Sequence, residues 1–160
     1  MFSILHISDL HRSREEPVDN NSLLAALLAD RDRYAGETPR VPPPEAIIVS
    51  GDLIQGAQIG VQNWQQSMKD QYAVADGFLT ALCKRFLDGD KSRMVVVPGN
   101  HDVCWNTSHV AMERVPAAEY PKDLYGALIE PDSSYRWSWA EQTLYRIADM
   151  TAYGQRMGYY

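Results

Sequence analysis

The chemistry available to this sequence lies in a few polar residues: Asp9 and His11 in ILHISDLH, Asp52 in AIIVSGD, and Asn100, His101 and Asp102 in VVVPGNHDV. Carboxylates, an amide and imidazoles, with no thiolate among them, make a set of oxygen and nitrogen donors. Such a set suits Mn, Fe or Zn better than a structural zinc finger. Asp9 and His11 are spaced so that an extended segment returns both side chains to one face, where they can grip one ion together. Gly51 before Asp52 and Gly99 before Asn100 permit tight turns and close backbone approach. A lone Asp after a strand is most often a cap or turn residue. Polar clusters at successive strand ends are not explained that way, and together they read as metal ligands and catalytic groups.

The elements that must position them alternate in type. FSILHIS reads as a short buried strand, and AIIVSGD and MVVVPGN as two more. NNSLLAALLADRDRY predicts a helix, with Leu23, Leu24, Leu27 and Leu28 at helical spacing and Asn-Asn-Ser able to cap it. A longer helix is expected with Trp64, Met68, Ala75, Phe78, Leu79, Leu82 and Phe86 on one face. GETPRVPPPE is a Pro-rich loop. Strands alternating with helices predict an α/β fold of strand-helix-strand-helix-strand order, its parallel sheet covered on both faces. Ligands of such sheets bind outside the carboxyl ends of the strands, so the polar clusters converge at one rim. Beyond Trp105 the reading is a less regular helical region over 106–160, with helical spacing around Trp139, Leu144, Tyr145, Ile147 and Ala148 and no further strand. Its aromatic density reads as core or interface packing.

The length of 160 residues favours a single domain over 1–160, and a hydrophobic content of 45% can build a core. The net charge of -6 gives no electrostatic footprint for broad phosphate-backbone binding, while a local metal site keeps nucleic acid open as a partner. Cys83 and Cys104 form no metal-type or redox-type spacing and read as reduced thiols. The start of the chain does not read as a signal peptide, and no apolar run reaches transmembrane length, so the expectation is a cytoplasmic protein with no membrane partner.

With DLH at 9–11, GD at 51–52 and GNHD at 99–102 following strands in this order, the chain resembles the calcineurin-like metallophosphoesterase superfamily. The resemblance covers about the first two-thirds of the chain and implies half of a two-sheet sandwich. It implies a phosphoesterase hydrolysing phosphomonoesters or phosphodiesters through a dinuclear metal site and metal-activated water. On that pattern Asp9 and His11 ligate the first metal, Asp52 bridges both and Asn100 ligates the second. His101 lies beside the substrate phosphate, and Asp102 orients its ring. The divalent ions would be Mn, Fe or Zn.

The family pattern continues with further histidines that complete both metal shells. This sequence has only His6, His11, His101 and His109. His6 reads as a core or sheet-face residue, and His109 follows the third motif too closely to match the later histidine. The simplest expectation is an N-terminal part of a larger phosphoesterase, holding one ion by itself and completed by a missing C-terminal portion or by self-association. A non-catalytic binding or assembly module is the alternative from another class. ILHISDLH is also similar to the opening of the superfamily's DNA-repair nucleases. Arg12 and Arg14, in the loop behind His11, read as solvated, with contact to substrate phosphate as the other reading.

Overall fold

The computed structural model describes residues 2–15 and 18–160; Glu16 and Pro17 of the loop behind His11 lie outside them. Three runs rich in β-branched residues form the strands β1 (Ile4–Ser8), β2 (Ala46–Ser50) and β3 (Met94–Val97). They pair in parallel in the order β1-β2-β3, with Ile7 opposite Val49 and Val49 opposite Val96. Helix α1 (Asn20–Arg31) follows β1, and α2 (Trp64–Phe86) follows β2. The cap of α1 is Asp19, whose carboxylate accepts from the amides of Asn21 and Ser22 at 2.8 and 2.9 Å. The Asn-Asn-Ser segment expected to cap the helix therefore forms its first turn.

Both helices lie on one face of the sheet, and this corrects the expected cover on both faces. Leu23, Leu24 and Leu27 of α1 and Met68, Ala75, Phe78 and Leu82 of α2 share one core with Ile47, Val49, Leu5, Ile7 and Val96. The strands advance in one direction across the sheet, and right-handed crossovers then put successive helices on the same side. The other face stays open, with Ile4, Val95 and Val97 about half exposed. His6 lies on that face and bonds the Ser50 hydroxyl at 2.8 Å. The arrangement is half of a two-sheet sandwich, as the resemblance implied.

The region after Trp105 departs from the expected run of helix. Helices α3 (Trp105–Val110), α4 (Leu124–Ile129) and α5 (Met150–Gly154) are short. Between them lie β4 (Met112–Arg114), β5 (Tyr135–Ser138) and β6 (Thr143–Ile147), which form a second, antiparallel sheet in the order β4-β6-β5. The segment around Trp139 to Ala148 meets helical spacing, but a short apolar run fits either period. Cross-strand pairs such as Trp137 with Leu144 and Arg136 with Tyr145 settle it as a hairpin. Ala111, Ile147 and Tyr153 form a small separate core beneath it. The end of the chain returns to α2, where Tyr159 packs edge-on against Trp64 and Tyr160 against Tyr72.

Phe78 is fully buried at the centre of the main core. Phe78→Ala should lower unfolding free energy by about 3–5 kcal/mol in urea titration, and Phe78→Leu by less. Equal stability of Phe78→Ala and the parent chain would contradict this packing.

Candidate metal centre

The parallel ladder does not stop where the strands do. The amide of Asp9 donates to the Ser50 carbonyl at 3.2 Å, that of His11 to Asp52 at 3.0 Å and that of Arg12 to Leu53 at 2.7 Å. On the other side the Gly51 amide donates to the Val97 carbonyl at 3.1 Å. The loops leaving β1 and β2 thus run side by side, which brings His11 alongside Asp52. The expected extended geometry of Asp9 and His11 does not form: both adopt the left-handed region, with φ of 52° and 46°. Such backbone costs about 1–3 kcal/mol per residue and persists where the surroundings over-determine it.

His11, Asp52 and His101 converge, each offering a ligand atom within 4.8 Å of the others. Asp52 is buried, and its Oδ1 accepts the His101 backbone amide at 2.8 Å. Its Oδ2 faces both rings, 3.8 Å from His11 Nε2 and 4.0 Å from His101 Nε2. These separations are too long for hydrogen bonds, so the donors point at a common space without satisfying one another. The buried Nδ1 of His11 has no hydrogen-bond partner among the described residues. A carboxylate oxygen and two imidazole nitrogens that converge without hydrogen-bonding one another fit a divalent cation of the Mn, Fe or Zn type.

Asp9 stands outside that trio. Asp9 is exposed, with Oδ1 3.3 Å from where a Cβ on Gly51 would be. Asn100 is also exposed, and its backbone carbonyl accepts the Trp105 indole N–H at 3.0 Å. His109 sits apart, its ring 5.6 Å from that of Tyr145. Arg12 is buried rather than solvated and donates to Asn20 and the Val18 carbonyl, whereas Arg14 is exposed and pairs with Asp70.

The ring of His101 is oriented by a different partner from the expected Asp102. Its Nδ1 lies 2.6 Å from the Gln55 carbonyl, which can only accept, so Nδ1 carries the proton and Nε2 is the atom turned toward Asp52. Asp102 is fully buried and binds backbone instead, accepting from the Leu53 amide at 3.1 Å and the Gly99 amide at 2.8 Å. Burial raises its pKa, the amides of Gly99, Leu53 and Ile54 oppose that, and the nearby Asp52 charge adds to the rise. The Tyr72 hydroxyl donates to the Asp102 carbonyl at 3.0 Å, and burial raises its pKa and keeps it a donor. Gln55 and Tyr72 carry no motif. Gln55 acts through its main chain, which a sequence pattern does not record.

Gly99 is where the loops touch most closely: a Cβ there would stand 2.2 Å from Asp52 Oδ1 and 2.5 Å from its amide nitrogen. Gly99→Ala should cost about 1–3 kcal/mol of stability by displacing Asp52. Gly154→Ala, with no atom within 4 Å of the new Cβ, provides the control in the same thermal melts. Equal melting temperatures for the two variants would refute the close approach.

No helix among the described residues is long and apolar enough to cross a membrane. Comparison with curated proteins and with solved structures gave no match. The family described as calcineurin-like phosphoesterase matches residues 2–150, nearly the whole chain and well past the motifs. With that match over this parallel sheet and strand-end cluster, the chain belongs to the calcineurin-like phosphoesterase family, a family of hydrolases.

Proposed function

We propose that this chain carries the active centre of a metal-dependent phosphoesterase acting on phosphomonoesters or phosphodiesters. The observation that carries the reading is the convergence of His11, Asp52 and His101 at the carboxyl ends of parallel strands, with Asp52 Oδ1 pinned and Oδ2 turned inward. His11 and Asp52 are the ligands of a first divalent ion, with Asp9 beside them. Asp52 and Asn100 would hold a second ion. When bound, the cations supply charge neutralisation at the phosphoryl oxygens and make an attacking water acidic enough to ionise near neutral pH.

The chain's own residues do the rest. Asp52 fixes the centre because one oxygen is spent on the His101 amide, which prevents rotation of the carboxylate. His101 keeps its Nδ1 proton on the Gln55 carbonyl, leaving Nε2 to face the reacting phosphate. In its protonated form Nε2 donates a hydrogen bond to developing phosphoryl charge or a proton to the leaving oxygen. Asp102 is a positioning residue that ties the loop after β2 to the loop after β3.

Calorimetric titration of the metal-stripped chain with Mn²⁺, with Asp52→Asn alongside, tests the centre directly. Losing a supporting partner of a ligand costs roughly 10–100-fold in metal affinity, and losing Asp52 should cost more. Hydrolysis of p-nitrophenyl phosphate and its bis ester should fall to background in the same variant. Mn²⁺ binding that Asp52→Asn leaves intact would overturn the assignment. Tight Mn²⁺ binding without hydrolysis of either ester would favour the non-catalytic module.

A further inference from the structure

We propose that the aromatic cleft beside the metal centre holds the base of a mononucleotide-sized phosphate ester, so that the substrate class is nucleotide rather than aliphatic phosphate. The inference rests on the phosphoesterase reading for the phosphate half of the ligand. A cleft of about 370 Å³ lies between α3 and the β5–β6 hairpin, walled by Trp105, Trp137, Trp139 and Tyr145. A second hollow of about 500 Å³ is lined by His101, Gln55 and Gly56. The two share Ile59 and Trp105, so one surface runs from the His101 imidazole to the aromatic walls.

The wall that the two hollows share is tied to its neighbouring loops. The Trp105 indole donates to the Asn100 carbonyl at 3.0 Å, which fastens the shared wall to the loop that carries His101. Asn106 bridges the Gly60 amide at 2.8 Å and the Gln58 carbonyl at 3.0 Å, on either side of Ile59. A preformed site avoids the ordering cost of an adaptable one. Trp139 is 85% exposed at the tip of the hairpin, with its ring 6.2 Å from Trp137. A solvent-facing indole at the mouth of a cleft is a stacking surface for a planar group.

The remaining lining selects the kind of planar group. Arg136, Ser138, Glu141 and His109 add polar and ionisable groups to the aromatic walls. Arg136 is held by the Tyr153 hydroxyl and the Ser133 and Tyr135 carbonyls, and Glu141 accepts from the Tyr145 hydroxyl, which fixes these polar groups around the cleft. A nucleobase stacks on the rings and offers donors and acceptors around its edge. The volume is at the small end for ligand sites and suits one nucleoside. A net charge of -6 disfavours a polynucleotide, whose affinity is built on many Lys and Arg contacts to phosphate.

Tryptophan fluorescence of the full chain, titrated with adenosine, tests the cleft independently of metal and turnover. Saturable quenching that weakens about tenfold in Trp139→Ala is expected, with glycerol giving no response. The ratio of kcat/KM for adenosine monophosphate to that for methyl phosphate should also fall about tenfold in that variant. Absence of quenching at millimolar adenosine, or quenching unchanged in Trp139→Ala, overturns the proposal whether or not esters are hydrolysed. Tighter binding of a single-stranded oligonucleotide than of adenosine, with steep salt dependence, overturns the mononucleotide assignment in favour of a nuclease. Adenosine binding that depends on Trp139, without hydrolysis of any ester, supports the base-binding cleft and removes only the phosphoesterase reading.

Discussion

The buried carboxylate of Asp102 is the constraint on which the centre depends. It receives the amides of Leu53 and Gly99 in a place without solvent, so the loops that follow β2 and β3 meet at one point. A buried carboxylate left without those amides would be costly, and amides left without the carboxylate equally so. This reciprocal need locks the approach of Gly99 to Asp52. Asp52 in turn fixes the His101 backbone through Oδ1. The chain of dependence runs from a buried anion through two loop backbones to the orientation of the ligand atoms.

The parallel sheet explains why these loops are available to be tied. Successive right-handed crossovers leave every strand pointing its carboxyl end the same way, and the ladder extends past β1 and β2 into the loops. The same geometry places α1 and α2 on one face and leaves Ile4, Val95 and Val97 uncovered on the other. The positive φ values at Asp9 and His11 fall in these loops, where strain is held by the neighbouring ladder bonds. A scaffold of this kind can place polar groups at its rim while the core beneath remains apolar.

The second sheet serves a different purpose from the first. Val115, Leu144 and Tyr145 are buried there beside the small cluster of Ala111, Ile147 and Tyr153. Its hairpin also carries Trp137 and Trp139 to the side of α3, and α3 is joined through Trp105 to the loop that carries His101. The hairpin of this sheet therefore also shapes the surface next to the candidate metal centre. That division matches the general tendency of specificity to reside in loops and short elements carried by a rigid sheet.

Much of the scaffold was legible in the sequence because its signals are local. Three β-branched runs each ended in a polar cluster, and two intervening segments had helical periodicity, which defines a strand-helix-strand-helix-strand order and directs Asp9, His11, Asp52, Asn100, His101 and Asp102 to one rim; of these, His11, Asp52 and His101 form the convergent trio. The hairpin at 135–147 was not legible, because its short apolar run satisfies helix and strand spacing alike and only pairing across the turn chose between them. The single covered face was also hidden, since it follows from the direction in which strands are added. Asp102 was visible as a polar residue at a strand end, but its partners are backbone amides from a loop about fifty residues earlier. The orientation of His101 by the Gln55 carbonyl belongs to the same class. Residue types and spacing marked the groups that could meet; tertiary contacts to the main chain, which carry no sequence signature, decided which of them converge and how each is held.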